Sequence, residues 1–185
     1  FGDPYEYKGK AIVNSAPGVR NLHGNIRNHE GVDFGTEQQE GWNLKAITKG
    51  TIEKIRFQFN STKQTGYGLY MVINHGPLGV ENKVYKTVYS HLSSLDKSIL
   101  GKTIGELTNE EIEKILSPDG LIPNKVVEKG QVIGKSGGIK GKNYLQQQPQ
   151  KYDLAGGSNG AHLHFELRVG DSSQLDSDFK QIKYV

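Results

Sequence analysis

The sequence predicts a mainly β fold, a single domain built on an antiparallel β-sheet core with one short helical insertion near 108–117. Three observations carry that prediction. Hydrophobic residues make up only 34% of the 185, and glycine numbers 24, a balance that favours short strands and turns over long amphipathic helices. Stretches such as Gly160-Ala161-His162-Leu163-His164-Phe165-Glu166-Leu167 alternate polar with apolar residues at the period of a strand. The length suits one full hydrophobic core rather than two. The core is expected at about 17–170, with 1–16 as an N-terminal extension and 171–185 as a C-terminal tail.

Ala11-Ile12-Val13, after Tyr5 and Tyr7 and before Pro17-Gly18, marks a first short strand. Between Lys45 and Phe59 the apolar positions Ala46, Ile47, Ile52, Ile55, Phe57 and Phe59 are rich in β-branched and aromatic residues. Two strands are expected there, with Lys49-Gly50 as a hairpin turn. Gly66-Tyr67-Gly68 opens the run Leu69 to His75, closed by Gly76-Pro77, and Lys86 to Leu92 supplies its antiparallel partner across a long loop. The helix rests on Thr108-Asn109-Glu110-Glu111, which has the spacing of a capping box, and on Ile112, Ile115 and Leu116 at helical intervals before Pro118. Further on, Gln146-Gln147-Gln148-Pro149-Gln150 and Gly156 to Gly160 resist regular structure. The last strand is Ala161 to Val169, and the polar tail carries no readable pattern.

Composition excludes several functions. With 23 Lys and Arg against 20 Asp and Glu, the net charge of +3 is too mild and too scattered for a nucleic-acid binder. Cysteine is absent, so any metal must rest on histidine and carboxylate. No apolar run approaches the roughly 20 residues that span a bilayer. Phe1 is not an initiator methionine, so the chain is expected to begin after processing or truncation, with any targeting segment outside it.

Chemistry concentrates in two places. On a strand, His162, His164 and Glu166 share one face while Leu163, Phe165 and Leu167 press into the core. Upstream, His29-Glu30-Gly31-Val32-Asp33 offers an imidazole and a carboxylate four positions apart, an even spacing that one strand would also bring to one face. One histidine alone is more often a surface or core residue than a ligand. Together, His29, Asp33 and one of His162 and His164 make the three-ligand set that catalytic zinc takes, at about 2.0–2.2 Å, while keeping a position for water. The other histidine of the pair stands roughly 6.6 Å away along the strand, within reach of that open position. It could take a proton from water whose pKa the metal lowers to about 7. His91 is expected to project away from the side that Val88 and Leu92 bury, its bland reading being an exposed sheet histidine. His75 reads as a strand-end hydrogen-bonding residue, and His23 has no constellation around it. Glu166 could orient a ligand histidine through its ring N–H or form an ordinary salt bridge with Arg168.

These motifs, in this order, resemble the M23 family of zinc metallopeptidases, the lysostaphin and LytM type of peptidoglycan endopeptidase. Its His-x-x-x-Asp is matched by His29 to Asp33, followed by Phe34-Gly35, and its Ala-x-x-x-Gly-x-Ile by Ala46 to Ile52. Gly66-Tyr67-Gly68, Val72 to His75, Tyr89-Ser90-His91-Leu92, Val127 to Gly137 and His162 to Leu167 follow. The resemblance runs from about Pro17 to Val169. It implies His29, Asp33 and His164 as ligands of one Zn2+, His91 and His162 as catalytic residues, and a groove over the metal. It also implies attack by a zinc-bound water on peptide bonds of bacterial peptidoglycan cross-links or stem peptides, in an extracytoplasmic setting. The chain departs from the family in longer segments at 93–125 and 138–160, both expected to edge the groove. Ser158-Asn159-Gly160-Ala161 replaces the usual Thr-Gly-Pro. A catalytically silent cell-envelope binding or scaffold module on the same fold is the alternative. A third reading, a non-haem iron triad, leaves His91 and His162 idle.

Overall fold

The computed structural model describes residues 1–6, 12–22, 25–29, 31–79, 82–171 and 180–181. In chain order the strands are β1 (Ile12–Ser15), β2 (Gly18–Leu22), β3 (Asn25–His29), β4 (Val32–Gly35), β5 (Asn43–Lys45), β6 (Gly50–Asn60), β7 (Thr65–Gly76), β8 (Lys83–Ser90) and β9 (Leu92–Leu95). After helices α1 (Lys97–Leu100) and α2 (Asn109–Leu116) come β10 (Lys125–Val127), β11 (Val132–Ser136), β12 (Tyr144–Gln147), β13 (Gln150–Asp153), β14 (His162–Asp171) and β15 (Lys180–Gln181). The fold is mainly β, as the composition predicts.

One large antiparallel sheet runs β1-β4-β14-β8-β7-β6-β10, with β15 pairing on β14. A smaller sheet, β5-β11-β9, shares its core: Leu44, Ile133 and Leu95 join Met71, Ile73, Tyr89, Leu163 and Phe165 in one buried cluster. The Tyr89 hydroxyl donates to the Lys45 carbonyl at 2.8 Å, tying the two sheets together. Alternation along β7 is strict: Leu69, Met71 and Ile73 enter that core, while Tyr70 and Val72 pack with Val88 on the opposite face. The same rule on β14 turns Leu163, Phe165 and Leu167 inward and leaves His162, His164 and Glu166 on the other face. Thus the side of the large sheet away from the main core is the one that carries the imidazoles.

The expected helix is present and is stapled by the capping box that its sequence spells. Thr108 Oγ1 accepts from the Glu111 N–H, and the Glu111 carboxylate accepts from the Thr108 N–H. Ile112 and Ile115 bury one face of α2 against β6 and β12. The hairpin of β7 and β8 is present, but β7 is longer than the apolar run indicates, and β8 starts at Lys83 and stops at Ser90, so that Leu92 belongs to β9 of the small sheet.

Three expectations are corrected. Lys49-Gly50 is not a hairpin turn: β5 pairs with β11, β6 pairs with β7, and residues 46–49 cross from the small sheet to the large one with Ala46 and Ile47 buried. Periodicity locates strands but does not name their partners. The glutamine-rich stretch is regular after all, because β12 and β13 form a hairpin in which Leu145, opposite Tyr152, is the buried anchor. Tyr152 packs its ring against Phe57 and Tyr144 is exposed, while the remaining positions are Gln, Lys and Asp, so the sequence lacks the apolar alternation that announces a strand. The tail is not featureless either, since Lys180 and Gln181 pair with Val169 and Arg168. Tyr7, Ala11 and His23 lie outside the described residues.

Candidate metal centre

The site is assembled by sheet register. Asp33 on β4 lies directly opposite His164 on β14, and His162 lies opposite Gly35, so antiparallel pairing brings a carboxylate and two imidazoles to one face. His29 comes from elsewhere. It ends β3, which among the described residues pairs with β2, and Gly31 leads into β4. The four-residue spacing therefore works through a break between two strands, not through a shared face along one strand as the spacing suggests. Gly31 is required there, because a Cβ would stand 2.5 Å from the Phe165 carbonyl oxygen and 2.7 Å from two atoms of the His164 ring.

His29 Nε2, Asp33 Oδ1 and His164 Nδ1 converge: the separations are 3.0, 2.9 and 3.2 Å for His29–Asp33, His164–Asp33 and His29–His164. Their outer partners decide the tautomers. His29 Nδ1–H donates to the Ala16 carbonyl at 2.9 Å, and His164 Nε2–H donates to Glu166 Oε1 at 2.9 Å. Both converging nitrogens are then lone-pair atoms aimed at an anionic oxygen. Such a cluster needs positive charge at its centre. With bonds of about 2.0–2.1 Å, a tetrahedral ion separates its ligand atoms by roughly 3.3 Å, slightly more than the spacings here. The group fits a metal ion in number, donor type and distance.

Without an ion the same geometry attracts protons. Burial acts to lower His164, but hydrogen bonds to Asp33 and Glu166 and their charges outweigh it and push the ring up to about 9. Burial acts to raise Asp33, yet the His164 hydrogen bond and the charges of His162, His164 and His29 hold it far below the usual carboxylate range. The two remaining histidines behave in the opposite way. Burial, with added repulsion from His162 and His164, keeps His91 well below the ordinary histidine value, and burial also lowers His162. Each has its Nδ1–H spent on a backbone carbonyl, Ala155 for His91 and Gly160 for His162, both at 2.8 Å. Nε2 of each is then the basic nitrogen. The two rings lie 4.8 Å apart between centroids, and His162 Nε2 is 3.7 Å from Asp33 Oδ1.

His91 does not sit as expected. It is a buried residue with φ of 58° in the link between β8 and β9, and this break sends Val88 and Leu92 to opposite faces of the sheet. Only one of the two long segments edges the cleft. Gly157 to Gly160 line the roughly 370 Å³ space over His29, Asp33, His91, His162 and His164, whereas no residue of 93–125 does. That first segment packs Leu95, Ile99, Ile112 and Ile115 into the main core instead. His75 is a strand-end hydrogen-bonding residue, between the Lys49 carbonyl and Thr87 Oγ1. Both readings of Glu166 hold at once, since it accepts from His164 and also pairs with Arg168. Tyr67 was readable only as a strand opener. Its ring nevertheless stacks on His164 with centroids 5.6 Å apart, a contact between strands that no local pattern announces.

No family model matches the sequence, and no curated protein matches it. Solved structures do share the fold. A chain of the SpoIIIAH–SpoIIQ complex is similar at TM-score 0.56 and 16% identity, covering 98% of this chain and 95% of that one. LytU is similar at TM-score 0.50 and 18% identity over 95% of this chain and 84% of its own. Csd3 of Helicobacter pylori aligns over the whole chain at 18% identity and TM-score 0.49, and this chain spans 36% of its length. For the SpoIIIAH–SpoIIQ chain and LytU, the likeness at these identities concerns the fold.

Proposed function

We propose that this chain is a zinc-dependent endopeptidase of the M23 type that hydrolyses peptide bonds in bacterial peptidoglycan, in cross-links or stem peptides. The observation that carries the reading is the convergence of three lone-pair atoms, from His29, Asp33 and His164, beside two imidazoles held uncharged by burial. A LytM-like peptidase fold among the structural neighbours supports it.

In this reading His29, Asp33 and His164 hold the ion, which when bound supplies Lewis acidity for a scissile carbonyl and lowers the pKa of water to about 7. His162, whose Nε2 stands 3.7 Å from the ligand carboxylate, accepts the proton that the attacking water gives up and returns it to the leaving amine. His91, anchored on Ala155 O and lining the same cleft beside His162, steadies the charge that develops on the attacked carbonyl. The backbone from Gly157 to Ala161 forms the wall along which a peptide lies. An extracytoplasmic setting, where peptidoglycan is found, follows from the substrate.

The test is mass spectrometry of muropeptides released from purified sacculi of several wall types, with His164→Ala as control. New amino and carboxyl ends at one peptide bond, lost in the control and on chelation, are expected. The absence of any cleaved product from zinc-loaded protein on every wall type would overturn the proposal. Similarity to a chain from a two-protein complex favours one other reading, a silent binding module. That module would bind sacculi equally well with His162→Ala and His91→Ala and release nothing. Metal analysis of the purified protein separates zinc from iron.

A further inference from the structure

Behind His164 lies a polar cluster that the proposed chemistry does not use. Glu166 is fully buried, and its carboxylate accepts three hydrogen bonds and makes one further close ion-pair contact. Oε1 takes His164 Nε2–H at 2.9 Å and the Tyr67 hydroxyl at 2.6 Å, while Oε2 takes Arg168 Nε–H at 2.7 Å and pairs with a terminal Arg168 nitrogen at 2.6 Å. A second Arg168 N–H contact, at 3.2 Å, reaches the Tyr67 oxygen, which fixes the direction in which the tyrosine proton points. An ionised carboxylate has about four lone-pair sites and no proton to give. All four are occupied here.

Tyr67 reaches the site in two further ways. Its ring lies at 29° to that of His164, closing the face of the imidazole, and its own carbonyl accepts the His91 N–H at 2.9 Å. One residue therefore touches both the would-be ligand and the link that carries His91.

We infer that Tyr67 and Arg168 are positioning residues: by filling the acceptor sites of the Glu166 carboxylate they compel His164 to carry its proton on Nε2 and to present Nδ1 to the cation. This rests on the metal reading of His29, Asp33 and His164. The physical reason is that Glu166 can only accept. A neutral imidazole facing it lowers its energy by donating, and the one remaining lone pair then points at Asp33 and His29. Replacing Glu166 by glutamine breaks this logic in a specific direction. The guanidinium of Arg168 claims the single amide oxygen, the amide NH2 turns toward His164, and the ring must offer Nε2 as acceptor and carry its proton on Nδ1.

The experiment is long-range 1H–15N NMR of the imidazoles in zinc-free and zinc-loaded protein, alongside zinc affinity by chelator competition, for wild type, Glu166→Gln and Tyr67→Phe. Read above the raised pKa of His164, where the zinc-free ring is neutral, wild type is expected to show its proton on Nε2 and, with one equivalent of zinc, Nδ1 bound to the metal. Glu166→Gln should show the opposite tautomer and bind zinc about 10–100-fold more weakly. Tyr67→Phe keeps the stacked ring and should lose affinity by a smaller factor while retaining the tautomer. It is also the variant that still reports if Glu166→Gln fails to fold. Wild-type affinity in both folded variants, or in Tyr67→Phe when it alone folds, with an unchanged tautomer, would overturn the inference and leave the metal reading standing. Wild-type protein that binds no zinc, or binds it without shifting His164, would instead overturn the reading beneath it.

Discussion

Gly31→Ala adds one methyl group just before β4, where the backbone passes against His164, and the structure says where that methyl must go. Its carbon would lie 2.5 Å from the Phe165 carbonyl oxygen and 2.7 Å from Cε1 and Nε2 of His164. Ordinary van der Waals contact begins near 3.4 Å, so something must retreat by roughly 0.7–0.9 Å. The Phe165 carbonyl belongs to a strand paired on both sides, with Val32 and with Tyr89, and cannot move far. The imidazole yields instead. Its Nε2 leaves Glu166 and its Nδ1 leaves the position shared with His29 and Asp33. Metal ligands tolerate about 0.2 Å of displacement, and outer changes around such sites cost 10–100-fold in affinity. The expected result is a folded protein, destabilised by about 1–3 kcal/mol from overpacking, whose zinc affinity falls at least tenfold in chelator competition. Gly160→Ala is the matched control, because its methyl enters open space in the wall of the same cleft. If Gly31→Ala binds zinc within twofold of wild type while urea unfolding shows it intact, the close packing of Gly31 on His164 does not hold the site in place.

The metal-free protein should lose stability above neutral pH. His164 has its folded-state pKa raised from 6.5 to about 9, so its contribution, about 3 kcal/mol, is fully present below pH 6.5 and disappears as pH climbs through 9. His75, His91 and His162 are lowered by burial and act in the reverse sense below pH 6.5, where the unfolded chain takes up protons that the folded one refuses. Urea titrations of chelator-treated protein should therefore fall on both sides of neutrality, and a flat profile from pH 6.5 to 9 contradicts the assignment. Zinc at a hundred times its dissociation constant should stabilise wild type and His162→Ala alike by about 2.7 kcal/mol, but not His164→Ala; equal thermal shifts in all three would remove His164 from the ligand set. Thr108→Ala deletes half of the capping box and should cost about 1 kcal/mol in urea unfolding with zinc affinity untouched. A coupled loss of zinc binding would show that α2 bears on the site after all.

Much of this was legible because period and spacing are local properties. Leu163, Phe165 and Leu167 announce their inward face by alternation, and Thr108 with Glu111 announces a helix start three residues apart. What could not be read depends on contacts distant in sequence. Lys49-Gly50 has the chemistry of a turn, yet Leu44 and Ile52 serve different sheets because β11 competes successfully for β5. His91 looks like a strand residue because its neighbours are strand-like, and only the fold shows the positive φ that turns its ring toward His162. Tyr67 gives no local signal of its role, because its partner on β14 is ninety-nine residues away.

The inward side chains also give the site a source of register that is independent of any ion. A slip of one residue between β4 and β14 would break the pairing of Asp33 with His164 and turn every side chain of β14 to the other face. His164 and Glu166 would enter the apolar core, and Leu163, Phe165 and Leu167 would leave it. Exposing each of those three costs about 1.5–3 kcal/mol, and together that rivals the 5–15 kcal/mol stability of a whole domain. The register is therefore enforced by residues that never touch a ligand. Ion binding need not supply the energy of aligning His164 with Asp33, and affinity gained from the first-formed coordination bonds is not spent on folding the strand. This is the opposite of a small metal-nucleated domain, whose fold appears only with its ion. It follows that chelator-treated protein should keep the slow amide exchange of Phe165 and Leu167. Loss of that protection on zinc removal would show that the metal, and not the core, sets the register of β14.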